Sequence, residues 1–161
     1  MIGVGNLLRT DDGVGIHLLN MLSKLHPEID TFDAAMGSIE ILEAMKGYER
    51  VVIVDSIETG VEPGTIYRVN LTSGEKPPVI THSHGTDVLT ILELGRQLYG
   101  EDMPKDIILI AIEAEDTITI GDKLTRRVQD ATDDVLQNIL EYANESNKCQ
   151  YKPKKQFLSM R

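Results

Sequence analysis

The sequence predicts an α/β fold of three layers, in which a mostly parallel, twisted sheet of about five strands carries helices on both faces. Short β-branched runs alternate along the chain with segments whose apolar residues recur at helical spacing. Two of these runs, at residues 51–54 and 107–112, are continuously apolar, which is typical of strands buried on both faces of a parallel sheet. A glycine-rich turn near the start of the chain is a suitable strand-to-helix connection for such a fold.

The first half of the chain predicts three strands and two helices. The strands are expected at residues 2–4, 29–34 and 51–54, and the helices at about 13–25 and 39–47. The first helix is predicted from apolar residues that recur every three or four positions, at Val14, Leu18, Met21, Leu22 and Leu25.

The second half continues the alternation of strands and helices. A turn-rich segment at residues 59–65 leads into a strand at 66–71, and a buried strand is expected at 107–112. Between these strands, a helix is predicted to begin near residue 87 and to stop at Gly100. A final long helix that ends near Ser146 is predicted from the spacing of Leu124, Val128, Ala131, Val135 and Ile139.

The length and charge of the chain limit the functions it can have. With 161 residues, it fits one domain with a substantial core. We assign residues 1–147 to a single α/β domain and residues 148–161 to a basic C-terminal tail, because the tail contains basic but no acidic side chains. The net charge of −10 disfavours binding to nucleic acid or to an anionic membrane, since both need a basic surface.

The single cysteine, Cys149, excludes an intrachain disulfide and fits a reducing compartment. No apolar run approaches the roughly 18 residues of a membrane span, and the first residues lack the pattern of a secretory signal. We therefore expect a cytoplasmic protein that does not insert into a membrane.

Three polar residues are expected at the carboxyl ends of the strands, where open α/β sheets bind their ligands. Asp12 lies in the loop after the first strand, Asp55 directly follows the strand at 51–54, and His84 precedes the helix that begins near residue 87. Two carboxylates and one imidazole at one edge of a sheet suit a borderline divalent ion such as Ni²⁺ or Zn²⁺.

The glycine-rich turn at residues 3–15 also has features of a nucleotide-binding loop. However, the dinucleotide motif needs a third glycine where this chain has Leu8, and no Gly-Lys-Ser/Thr sequence follows. Asp11 and Asp12 would also repel a phosphate. One of these two aspartates could instead cap the next helix, because Asp is a favoured N-cap residue, although a cap does not require two.

Taken together, these motifs resemble those of the hydrogenase maturation endopeptidases, which trim the C-terminal extension from the large-subunit precursor of a nickel–iron hydrogenase. The resemblance rests on Gly-x-Gly-Asn-x-Leu-x-x-Asp-Asp-Gly-x-Gly at residues 3–15 and on Asp55 with the turn that follows it. It also rests on the loop residue His84 and on Ile112 and Glu113 near the end of a later strand.

By this resemblance, Asp12, Asp55 and His84 are the catalytic and metal-contacting residues of a peptidase domain. The resemblance also implies that nickel arrives already bound to the precursor, through cysteine thiolates near the scissile bond. The free enzyme would then hold no tightly bound metal. The implied partner is the large-subunit precursor, and the nickel serves either in the chemistry or as a recognition tag beside a carboxylate that assists water.

Two other functions remain open at this point. A doubly wound domain could bind a metal or a nucleotide without catalysis, or the chain could be a zinc peptidase that carries its own metal. The absence of a His-Glu-x-x-His sequence argues against the zinc peptidase, and the absence of Gly-x-Ser-x-Gly argues against a serine nucleophile. Asp11 is expected to cap or support the site, and His82 is the alternative to His84.

Overall fold

The computed structural model describes residues 1–34, 39–72 and 88–144, and these residues contain a five-stranded sheet in the order β2-β1-β3-β5-β4. The strands are β1 (Ile2–Gly3), β2 (Phe32–Asp33), β3 (Arg50–Ile57), β4 (Ile66–Asn70) and β5 (Asp106–Glu113). The helices are α1 (Val14–Leu25), α2 (Glu40–Met45), α3 (Val88–Tyr99) and α4 (Arg126–Asn144). Two short 3-10 helices, at Thr10–Gly13 and Gly100–Asp102, precede α1 and follow α3.

The sheet is mostly parallel, as predicted. β1 pairs in parallel with β2 and β3, and β3 pairs in parallel with β5 along eight residues, from Arg50 opposite Asp106 to Ile57 opposite Glu113. The edge strand β4 is antiparallel to β5. The carboxyl ends of β1, β2, β3 and β5 therefore meet at one edge of the sheet, which we call the carboxyl edge.

Helices cover both faces of the sheet and bury one aliphatic core on each. On one face, Leu42 of α2 and Leu92 of α3 pack against the sheet. On the other face, Leu18 of α1 and Ile139 of α4 do the same. Side chains of β3 alternate between these two cores, which explains why residues 51–54 form an uninterrupted apolar run. The prediction of a three-layer α/β/α fold is confirmed.

Several predicted boundaries are wrong. The strand predicted at 29–34 is limited to Phe32–Asp33, because its partner β1 offers only two paired residues. The strand predicted at 51–54 continues to Ile57, because β5 pairs with it throughout. Asp55 therefore lies within β3 instead of directly after it.

Close packing between two glycines brings α1 against the centre of the sheet. A Cβ atom on Gly15 would lie 2.3 Å from the carbonyl oxygen of Val4 and 2.5 Å from that of Val54. A Cβ atom on Gly3 would lie 2.5 Å from the carbonyl oxygen of Gly15. Only glycine fits at these two positions, and their contact places the start of α1 beside the ends of β1 and β3.

Within the described residues, no helix is both long and apolar enough to cross a membrane. The basic tail predicted at 148–161 and the boundary of the domain at residue 147 lie outside the described ranges, and so does the predicted end of the last helix near Ser146. The described part of α4 reaches Asn144.

Candidate active site at the carboxyl edge

A tight turn after β1 brings Asp12 to the carboxyl edge. Gly5 has a φ of +130°, and a Cβ atom there would lie only 1.8 Å from the carbonyl oxygen of Asp12. This position therefore requires glycine for both its backbone angle and its space. The chain then enters the first 3-10 helix at Thr10, whose φ of 40° is unusual for a β-branched residue.

The Asp12 carboxylate is fully buried and is held by the turn and by β3. Its Oδ2 atom accepts a hydrogen bond of 3.0 Å from the backbone N–H of Asn6. Its Oδ1 atom accepts one of 3.2 Å from the hydroxyl of Ser56. Two donors from separate elements therefore fix the orientation of this carboxylate before any ligand binds.

Asp55 lies next to Ser56 and within electrostatic reach of Asp12. Burial raises the pKa of the Asp55 carboxyl to about 7, although the hydrogen bond of 2.8 Å from the backbone N–H of Ser56 acts in the opposite direction. The negative charge of Asp12 adds to the increase in this pKa. The structure thus brings two of the three predicted site residues together, and their charges oppose each other.

Such a carboxylate pair is suited to binding a cation. The two negative charges repel each other, and a cation bound between them would attract both. Within residues 1–34, 39–72 and 88–144, no group of three or more His, Cys, Asp or Glu side chains forms a metal-binding cluster. The third predicted ligand, His84, and its alternative His82 lie outside the described residues. Their place in the site stays a prediction.

Asp11 has a different role from its neighbour Asp12. Its Oδ2 atom accepts hydrogen bonds from the backbone N–H groups of Glu115 (2.9 Å) and Asp116 (3.0 Å) and from the hydroxyl of Thr125 (2.9 Å). Its Oδ1 atom accepts a further bond of 2.7 Å from the backbone N–H of Thr125. Asp11 therefore joins the turn after β1 to the loop between β5 and α4. It supports the site, as expected, and its oxygens are occupied by the protein.

Glu113, at the end of β5, was identified from the sequence only as part of a motif. It is buried, and its carboxylate accepts hydrogen bonds from the backbone N–H groups of Thr59 (2.8 Å) and Gly60 (2.7 Å) and from the hydroxyl of Thr59 (2.8 Å). These bonds fix the loop that follows β3 to the end of β5. An acidic residue that ends a continuous apolar strand was the available signal for this role.

The internal contacts of the turn argue against nucleotide binding. The glycines that would let a phosphate approach instead accommodate backbone atoms of the chain itself. Four backbone N–H groups of the turn already donate hydrogen bonds within the protein. The N–H of Asn6 donates to Asp12 Oδ2, and that of Asp11 donates to the carbonyl of Asp116. The N–H of Asp12 donates to the carbonyl of Arg9, and that of Val14 donates to the carbonyl of Asp11. A phosphate would have to compete for these donors.

Cavities of about 500 Å³ and 520 Å³ lie at the opposite edge of the sheet. Both are lined by Met1, Asp30, Tyr48 and Arg50, near the amino ends of the strands. Neither contains Asp12 or Asp55, and we assign no function to them.

The raised pKa of Asp55 predicts how stability depends on pH. An unfolded Asp has a pKa of about 3.9, so the folded chain binds this proton more tightly than the unfolded chain. The stabilisation by this proton is complete below about pH 4 and is lost as the pH rises through about 7. Asn cannot ionise, so Asp55→Asn removes this loss. We expect the gain in free energy of unfolding of Asp55→Asn over the original chain to be about 3 kcal/mol larger at pH 8 than at pH 5.

Denaturant unfolding of both proteins at the two pH values measures this difference. The matched control exchanges the exposed Asp102 for Asn, which removes one carboxylate from the surface in the same way. A stability difference for Asp55→Asn that is the same at pH 5 and pH 8 would show that the carboxyl titrates normally.

Comparison with known proteins identifies a consistent group of relatives. A family model described as hydrogenase maturation protease matches residues 16–142, a region that begins after Asp12 and includes Asp55 and His84. The hydrogenase expression/formation protein HupD of Thiocapsa roseopersicina is 24% identical over 149 residues, which cover 88% of this chain and 66% of that protein. The hydrogenase 2 maturation protease of Escherichia coli is 26% identical over 152 residues, which cover 91% of this chain and 90% of that protein.

The chain therefore spans about two thirds of HupD but nine tenths of the Escherichia coli protein. Solved structures share the fold. The hydrogenase maturating endopeptidase HybD from Escherichia coli has a TM-score of 0.73 at 24% identity, with 90% of this chain and 91% of that chain covered. The nickel–iron hydrogenase maturation protease HybD from Thermococcus kodakarensis has a TM-score of 0.72 at 21% identity, with 88% and 96% covered.

Proposed function

The chain belongs to the hydrogenase maturation protease family, and we therefore propose that it is an endopeptidase for a nickel–iron hydrogenase large-subunit precursor. It removes the C-terminal extension of the precursor after nickel has been inserted. The observation that carries this proposal is the pairing of Asp12 and Asp55 at the carboxyl edge. Two carboxylates held close together there can act on a cation that the substrate brings.

In this proposal, nickel belongs to the substrate, bound by cysteine thiolates of the precursor. Asp12, Asp55 and His84 are the residues that contact it. The donor set fits, because carboxylate oxygen and imidazole nitrogen both bind borderline divalent ions. At the scissile bond, the bound ion supplies Lewis acidity or serves as the mark by which a loaded precursor is recognised.

The chain's own residues have separable tasks in this proposal. Asn6 and Ser56 hold the Asp12 carboxylate in one orientation, so little ordering is needed when the substrate arrives. Glu113 fixes the loop at Thr59 and Gly60 along one side of the site. Water then adds across the peptide bond with help from a carboxylate, which releases the extension as a separate peptide.

The experiment that tests this function uses the purified chain and a purified, nickel-containing large-subunit precursor from the same genome. The precursor should lose the mass of one C-terminal peptide and keep its N-terminus. Release of the extension should grow with incubation time and with the amount of enzyme. A nickel-containing precursor whose mass does not change over repeated incubations would contradict the proposed function.

A further inference from the structure

We propose that four exposed apolar side chains beside Asp12 form a docking surface for an extended, apolar segment of the precursor next to the scissile bond. This inference rests on the proposed function. The surface, which we call the apolar rim, consists of Leu7, Leu8, Ile118 and Ile120. Ile118 and Ile120 keep 84% and 86% of their surface exposed, more than any other large hydrophobic residue in the described part of the chain.

Exposed apolar residues are concentrated at the edge of the sheet that carries the site. Six of the ten large hydrophobic side chains exposed in the described residues follow the carboxyl end of a parallel strand, namely Leu7, Leu8, Ile39, Val61, Ile118 and Ile120. Single exposed hydrophobic residues are normal on a protein surface, but a group of them at one place marks an interaction site.

The fold holds the apolar rim in place with specific hydrogen bonds. Asp116 Oδ1 accepts bonds of 2.9 Å from the backbone N–H groups of Ile118 and Thr119, and the carbonyl of Thr119 accepts one of 2.8 Å from the hydroxyl of Thr10. The backbone N–H of Gly121 donates to the carbonyl of Leu8 at 3.1 Å. These hydrogen bonds join the loop to the turn. They hold the backbone of both segments in the conformation in which the apolar side chains are exposed.

The apolar rim is directly connected to the carboxylate pair. The side chain of Asn6 accepts a hydrogen bond of 2.9 Å from the backbone N–H of Leu8, while the backbone N–H of Asn6 donates to Asp12. Thr10, which holds the loop carrying Ile118 and Ile120, is only two residues before Asp12. A peptide lying along the apolar rim would consequently pass beside Asp12 at the carboxyl edge.

The size of the apolar rim fits a peptide segment better than a second copy of this chain. Four side chains form a patch on the order of a few hundred Å², which is the range of functional patches on monomers. A stable complex between two folded chains buries about 800 Å² on each partner. The chain also carries a net charge of −10, and this charge would oppose its self-association.

The test replaces Leu8 with Ser and both Ile118 and Ile120 with Thr in one variant. The matched control replaces Leu25 and Leu98 with Ser, since these side chains are 61% and 57% exposed but lie at the ends of α1 and α3, away from the carboxyl edge. The assay measures KM and kcat for processing of the nickel-containing precursor, together with direct binding of that precursor and the oligomeric state of each protein.

We expect the rim variant to raise both KM and the dissociation constant of the precursor about tenfold or more. Its kcat should stay within about twofold, because the rim would bind the precursor equally well before and during the reaction. The control variant should match the original chain in all three quantities. An unchanged KM in the rim variant, with normal processing by the original chain, would overturn this inference and leave the proposed function standing. A dimer that the rim variant alone abolishes would also overturn it in favour of self-association. If the original chain binds but does not process the precursor, the proposed function fails, and the binding comparison still decides the role of the rim.

Discussion

Asp12→Asn, Asp55→Asn and His84→Ala are each expected to lower processing of the nickel-containing precursor by about 100-fold or more. Each substitution removes one of the three side chains proposed to contact the metal of the substrate. The folded state should persist, because Asn retains the shape of Asp at both positions and the amide oxygen introduced at position 12 can still accept a hydrogen bond. Initial rates followed by mass measurement of the product, with circular dichroism to verify folding, provide the readout.

His82→Ala is the matched control for the histidine, since His82 is the same residue type and lies only two positions from His84 in the sequence. It should reduce processing far less than His84→Ala. If His82→Ala abolishes processing and His84→Ala does not, we have chosen the wrong histidine. Retained activity in both aspartate variants would remove the carboxylate pair from the mechanism.

Asp11→Ala is expected to have the largest effect on stability, lowering the free energy of unfolding by about 3–5 kcal/mol. Its side chain is fully buried and accepts hydrogen bonds from Glu115, Asp116 and Thr125. Truncation leaves three backbone N–H groups without their acceptor and releases the loop from the turn after β1. Urea unfolding of the variant and of the original chain measures the loss.

Asp116→Ala is a suitable control, because that side chain accepts two hydrogen bonds from the exposed backbone of Ile118 and Thr119, where water can replace it. It should cost less than about 1 kcal/mol. Substitutions at the adjacent residues Asp11 and Asp12 are therefore expected to have different consequences. Asp11→Ala should lower stability, and Asp12→Asn should lower activity. An Asp11→Ala variant that is as stable as the control would show that its hydrogen bonds contribute little.

Much of the fold could be predicted from local patterns, because a strand buried on both faces of a sheet needs an uninterrupted run of apolar residues. The apolar run at 51–54 lies in β3, and the run at 107–112 lies in β5. The helical spacing from Val14 to Leu25 matches α1. The position of Asp12 could also be predicted, because it lies in the glycine-rich turn that follows the first strand.

The remaining features depend on pairing between distant segments. β2 is short because β1 is short, and β3 continues past Val54 because β5 lies beside it for eight residues. Neither fact can be read from the segment concerned. The same holds for Glu113, whose role depends on backbone groups of Thr59 and Gly60 more than fifty residues earlier. The hydrogen bonds that give Asp11 a different role from Asp12 likewise come from a distant segment, the loop before α4.

Whether cleavage depends on nickel carried by the substrate is the decisive test of the proposed function. Equal amounts of nickel-loaded and nickel-free precursor are incubated with the purified chain, with a chelator present that does not remove nickel from the loaded precursor. The mass of each precursor is followed over time, and the metal content of the purified chain is measured in parallel. We expect only the loaded precursor to lose its C-terminal extension, and we expect the purified chain to hold little metal of its own. Efficient cleavage of the nickel-free precursor, or one tightly held zinc ion per chain, would contradict this proposal.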